Sequence, residues 1–198
     1  MSVSTRTSTL ADIALPRSSA LTNLLLIVGA SIVTSLAAQL AIPVPWSPVP
    51  ITGQTFAVTL SGAVLGMRRG FLAQVLYLAE GALGLPVFAG GAAGAAVLAG
   101  PTAGYLVAFP IAAALTGALA ERGWDRRFAT MFAAMLIGSV PIFALGLAVL
   151  SRFVPAGGVL AAGLFPFLPG DVIKATLAAF AFPAAWRWAR SREDHPGA

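Results

Sequence analysis

Hydrophobic positions along the chain fall into six runs with little polar interruption, at about 21–42, 53–67, 70–85, 101–120, 128–150 and 168–188. Such runs predict bilayer-crossing helices, since the hydrocarbon core calls for about 20 apolar residues per span. The second and third runs are short and meet at Gly66-Met67-Arg68-Arg69-Gly70, which predicts a helical hairpin with its turn in water. The other breaks are Pro43 to Pro50, the glycine-rich stretch Gly84 to Gly104, the charged turn Glu121 to Arg127, and Ser151 to Pro166. The first run has the look of a signal-peptide core with small residues at Ser35 to Ala38, but it stays apolar to Ile42. That length predicts a retained span.

Composition sharpens this. The chain is 58% hydrophobic and only 10% charged, against about 25% charged in a soluble domain, so the expected fold class is an all-α integral membrane protein. The net charge of +5 is spread between apolar runs, without the basic stripe that a nucleic-acid face needs. There is no cysteine, and the one histidine, His195, lies in a polar tail. Disulfides, thiolate chemistry and histidine-rich metal sites are thereby excluded. No paired nucleophile and base and no ATP-binding motif occurs, so neither an enzyme nor a resident cofactor or metal is expected.

Ten of the twelve basic residues fall on one side of a six-span layout: Arg6, Arg17, Arg68, Arg69, Arg122, Arg126, Arg127, Arg187, Arg190 and Arg192. Arg152 and Lys174 fall on the other. The positive-inside rule then places both termini in the cytoplasm. Three parts follow: a disordered cytoplasmic arm over 1–20, a six-helix membrane domain over 21–188, and a cytoplasmic tail over 189–198. Trp46 is expected at the outer interface, and Trp124, Trp186 and Trp188 at the inner one.

The outward breaks at 43–52, 84–104 and 151–167 are rich in Pro and Gly and almost uncharged. Backbone that is neither helix nor strand survives at membrane depth where protein buries it or it lines a cavity, so these loops read as lids over an outward-facing pocket. At the same side Pro169-Gly170-Asp171-Val172-Ile173-Lys174 opens the sixth run, placing an acid and a base three apart on one helical face. A carboxylate there can simply cap the helix, but a lysine in the first turn opposes the dipole. The pair is therefore the leading ligand site. Glu80, roughly 16 Å along a helix from Arg69, is a second intramembrane acid, for ligand contact, for proton coupling, or as a neutral acid bonded to a neighbouring helix. Gln54 and Thr55 face either the pocket or an adjacent helix. The stretch from Gly84 through Phe88 and Gly91 to Gly94 lacks the Lys-Ser/Thr ending of a phosphate loop, leaving a tight turn or close packing on a ligand. Ala30, Thr34 and Ala38 form a small-residue stripe for helix packing or for docking a membrane partner.

Four stretches together resemble the BioY family: Ile42 to Thr55, Gly84 to Gly91, Gly100 to Tyr105, and Phe167 to Lys174. BioY proteins are the biotin-binding substrate (S) components of energy-coupling-factor (ECF) vitamin importers. The resemblance spans about residues 21–186 and implies a six-helix S-component fold in the cell inner (plasma) membrane. It also implies a biotin pocket near the outer surface, a transmembrane coupling protein (T component) and cytoplasmic ATPases (A components). Asp171 and Lys174 match the family's Pro-Gly-Asp-x-x-Lys motif and are implied in that pocket. Biotin suits the residues: a ureido ring with two N–H donors and one carbonyl meets an acid and an ammonium, and its apolar body suits walls such as Trp46, Phe88 and Tyr105. The alternative is a solitary secondary transporter coupled to protons through Glu80.

Overall fold

The structure, a computed structural model, describes residues 8–15 and 19–194, with 190–194 described as helix backbone alone. Arg6, Arg17 and His195 lie outside the described residues. In chain order the elements are α1 (Leu10–Ala14), α2 (Ala20–Gln39), β1 (Ala41–Val44), β2 (Ser47–Thr52), α3 (Gln54–Leu65), α4 (Met67–Ala82), α5 (Ala103–Ala120), α6 (Phe128–Leu150), α7 (Val159–Gly163) and α8 (Leu168–Asp194). The six apolar runs correspond to α2, α3, α4, α5, α6 and α8. Among the described residues, four helical stretches are long and apolar enough to cross a membrane: α2, α5, α6 and the stretch Ala156–Ala189 that contains most of α8.

The bundle is arranged around α5, which packs against α3, α4 and α6. Its sequence is apolar on every face, as a helix surrounded by protein requires, and Tyr105, Phe109, Ala112, Ala113 and Thr116 are all buried. Helices approach closely because small residues line the contacts. A Cβ at Gly62 of α3 would overlap the backbone of Ala113 in α5. Gly66 turns α3 into α4 at φ 84°, a conformation that other residues rarely adopt. By contrast α2 lies at the periphery, with Leu24, Leu25, Ile32 and Leu36 exposed, as lipid-facing residues are.

α3 has 12 residues, a rise of about 18 Å against a hydrocarbon core of about 30 Å. In the segment before it the expectation of irregular backbone is corrected. Residues 41–52 form an antiparallel hairpin, pairing Ala41 with Thr52, Ile42 with Ile51 and Val44 with Ser47. Prolines 43, 45, 48 and 50 argue against strand in a sheet interior, but each strand here has one partner. Proline is tolerated on the free side of an edge strand or at an irregularity, and the register shifts between Ile42 and Val44, at Pro43.

The second correction concerns the arm over 1–20. Thr9 and Asp12 form a reciprocal capping box that starts α1, satisfying backbone donors at both positions. Thr9 and Ala11 are buried, and Leu10 packs on a core cluster that includes Ala63, Ala120, Met131 and Met135. Arg69 donates to Asp12 at 2.7 Å. The helix thus closes the end of the bundle where α3 meets α4 and α5 meets α6. At that end Asp125 is fully buried and accepts a hydrogen bond of 2.6 Å from Trp186 Nε1, and Arg126 lies 4.6 Å from the Trp186 ring centre. Trp186 is therefore a core residue rather than an interfacial one, whereas Trp188 is exposed.

Candidate functional site

At the opposite end, the starts of α3, α5 and α8 converge beneath the hairpin and the 84–102 loops, around a cavity of about 330 Å³. That volume suits a small-molecule site. Its walls are mostly apolar: Val49 and Ile51 of the hairpin, Phe88 of the glycine-rich loop, Phe109 of α5, Phe143 of α6 and Phe167 before α8. Tyr105 and Phe167 pack at 6.4 Å between ring centres, and Tyr105 is fixed by a 2.9 Å hydrogen bond to the Gly163 carbonyl of α7. The hairpin is held over the cavity by Ser47, which donates to the Ala162 carbonyl at 2.7 Å.

The charged pair borders this cavity. Lys174 Nζ donates to the Thr52 carbonyl at 3.0 Å and to Thr55 Oγ1 at 2.8 Å, and lies 3.7 Å from Asp171 Oδ1. Thr55 Oγ1 makes a longer contact of 3.4 Å to the same carboxylate oxygen. Asp171 is buried, and its Oδ2 has no hydrogen-bond partner. A buried polar atom without a partner is costly. A smaller space of about 10 Å³, bordered by Thr59, Met135 and Ser139, adjoins the pair on its other side.

A neutral chain of hydrogen bonds ties the two covering segments together. Thr52 Oγ1 donates to Gln54 Oε1 at 3.0 Å, Gln54 Nε2 donates to Tyr77 Oη, and Tyr77 donates to the Val87 carbonyl at 3.0 Å. The Tyr77 ring meets Phe88 edge-on at 5.6 Å and stacks on Phe109 at 6.3 Å. Phe88 lies over Gly81, where a Cβ would overlap its ring. The base of the hairpin and the glycine-rich loop are thus fixed through α4.

Of the residues expected at the site, Asp171, Lys174, Gln54, Phe88 and Tyr105 border the cavity, and Trp46, Glu80 and Gly91 do not. Trp46 sits at the hairpin turn, 67% exposed. Glu80 is at the expected height but on another face of α4, where Ser31 of α2 donates to it. Gly91 has φ 78° in an exposed turn, where it shapes the loop. The stripe on α2 divides. Thr34 and Ala38 are fully buried, with Thr34 accepting from Gln74 of α4 at 3.2 Å, so these two serve internal packing. Ala30 borders a groove between α2 and α3. The sequence reading did not single out Thr52, Phe109, Phe143 or Phe167 for the cavity. Thr52 contributes a backbone carbonyl, and the phenylalanines sit in apolar runs that carry no local signal distinguishing wall from core.

Residues 7–191 match the model of the BioY family. The "Biotin transporter BioY" of Rhizobium etli is 40% identical over 158 residues, covering 76% of this chain and 84% of that protein. The "Probable biotin transporter BioY" of Pyrococcus horikoshii is 40% identical over 145 residues, 73% of this chain and 84% of the other. The 2.1 Å crystal structure of the S-component for biotin from an ECF-type ABC transporter superposes with a TM-score of 0.76 at 27% identity. That match covers 86% of this chain and 95% of the other.

Proposed function

This chain belongs to the BioY family, and from that premise we propose that it is the biotin-binding substrate component of an ECF-type importer. The observation that carries the reading is the apolar cavity with one buried acid–base pair at its edge. A few polar anchors in an apolar enclosure is the usual way to hold a small ligand. Biotin's ureido ring supplies donors for Asp171, and its apolar body suits Phe88, Tyr105, Phe109 and Phe143. Gln54 and Thr55 complete the polar edge. The same reading places six helices across the plasma membrane, with the cavity facing outward, both termini in the cytoplasm and 21–188 as the membrane domain. A T component and cytoplasmic A components would supply the energy. Glu80 takes no part in ligand contact here, since its acid is bound by Ser31 away from the cavity, and the proton-coupled alternative is not carried forward.

The test is equilibrium binding to the purified, detergent-solubilised chain, with biotin, thiamine and riboflavin titrated separately. Saturable binding of biotin alone, at one per chain, is expected. Binding of thiamine or riboflavin in preference to biotin, or none in folded protein, would refute the substrate. Uptake into proteoliposomes should then require the T and A components and ATP.

A further inference from the structure

The hairpin and the glycine-rich loop are separate walls of the cavity, and each is carried by the end of a different helix. α2 runs into β1 with Leu40 alone between them, and Gly53 N donates to the Leu40 carbonyl at 3.2 Å, closing the base of the hairpin. The end of α4 carries the other wall. Phe88 lies against Gly81, and Gly94 N donates to the Gly81 carbonyl at 2.8 Å. The seating of α2 on α4 therefore sets how closely the two walls meet. Large apolar side chains do not supply that seating, since the buried residues of α2 are Ser31, Thr34 and Ala38, whereas Leu24, Leu25 and Leu36 are exposed. Helices in lipid have no hydrophobic drive to associate and are held by close packing and interhelical hydrogen bonds. Among the described residues, three such bonds join α2 to α4 and the loop after it. Ser31 Oγ donates to the Glu80 carboxylate, Gln74 Nε2 to Thr34 Oγ1 at 3.2 Å, and Gln39 Nε2 to the Phe88 carbonyl at 3.4 Å. Gln74 also binds Ser61 of α3 at 2.9 Å, and Gln39 is exposed. Glu80 differs from both: among the described residues its carboxylate has one hydrogen-bond partner, the fully buried Ser31. It also stands next to Gly81, the seat of Phe88. An ionisable side chain at membrane depth is expensive and by default marks function, and this one is directed at α2.

We propose that Glu80 is a positioning residue for ligand retention: by clasping Ser31 it seats α2 on α4 and so holds the hairpin and Phe88 together over bound biotin. This rests on the biotin reading above. Breaking the clasp lets the two walls part more often, which speeds release and leaves the ligand's own contacts intact. The experiment follows dissociation of radiolabelled biotin, chased with excess unlabelled biotin, from the purified full-length chain in detergent. Ser31→Ala and Glu80→Leu are each expected to release biotin about three- to tenfold faster, with association rates within about twofold of the parent. The double variant should release no faster than the faster single one, because both remove the same bond. Glu80→Gln keeps an acceptor for the Ser31 hydroxyl and should stay within about twofold of the parent. An unchanged release rate in Ser31→Ala and Glu80→Leu, even with a lowered melting temperature, would make the contact a merely structural one and overturn the proposal. So would losses that multiply in the double variant, or Glu80→Gln releasing as fast as Glu80→Leu. Ser31→Ala, which removes a single buried oxygen, decides the matter where Glu80→Leu does not fold. Failure of the folded parent to bind biotin would instead overturn the biotin reading, and the proposal with it.

Discussion

At both ends of the helix bundle an aspartate is buried beside a cation, and the two ends use that charge differently. At the closed end Asp125 meets Trp186, with Arg126 over the indole ring, and α1 covers the neighbouring core. Burial pushes the Asp125 carboxyl above the usual carboxylate range, with the Trp186 bond and Arg126 offsetting this in part. Each aspartate keeps one carboxylate oxygen without a hydrogen-bond partner, but at the cavity end Asp171 and Lys174 border open space. The first aspartate holds a connection against a helix. The second borders the cavity. Burial of an acid in a membrane bundle, even with one oxygen unpaired, is thus not by itself a functional signal; a position at the edge of a cavity is the more discriminating one.

The contrast can be broken most forcefully at Lys174. Lys174→Met leaves Asp171 without its counter-charge, and biotin should bind about 30-fold more weakly, ~2 kcal/mol or more, by isothermal titration of folded protein. Unchanged affinity would remove the pair from the site. Trp186→Phe deletes the hydrogen bond to Asp125 Oδ2 and should lower unfolding free energy by about 1–3 kcal/mol, seen as a lower melting temperature, with biotin affinity within about threefold of the parent. Tyr77→Phe, which cuts the link from Gln54 to the Val87 carbonyl, should cost about 1 kcal/mol, measurable as ~fivefold weaker biotin binding. Smallest is Asp12→Asn. The ion pair with Arg69 is half-exposed, so the loss should not exceed about 1 kcal/mol. Its pH dependence has a definite sign. Burial raises the Asp12 pKa, but the bonds from Arg69 and Thr9 outweigh this and hold it below the ordinary value. Its contribution is therefore present above the unfolded pKa of about 3.9 and lost as pH falls through the lowered value. Parent and variant should converge in melting temperature there.

Much of the helical frame was legible in the sequence, because six apolar runs with charged or Pro/Gly-rich breaks leave few other solutions. The Asp171–Lys174 pair was legible for the same reason: ionisable residues stand out against an apolar background. Three features were not. The hairpin was hidden by its prolines, which weaken the strand pattern yet are harmless in a two-stranded ribbon. α1 was hidden in a polar arm, although Thr9 and Asp12 already stood at capping-box spacing. Glu80 shows the limit of counting along a helix, since rise gave its depth while azimuth, set by the neighbours of α4, turned it toward Ser31 instead of the cavity.

One substitution made at each end tests the central claim most directly. Asp125→Asn and Asp171→Asn are the same change of one atom, and the measurement is the rise in melting temperature that saturating biotin produces in each purified variant. Ligand bound to the native state stabilises it by about 4 kcal/mol at 1,000 times its dissociation constant. The account predicts that Asp125→Asn keeps the biotin-induced rise of the parent, and that Asp171→Asn melts cooperatively without biotin and loses most of the rise. An undiminished rise in Asp171→Asn, or its loss in Asp125→Asn, would contradict the division of roles between the two ends.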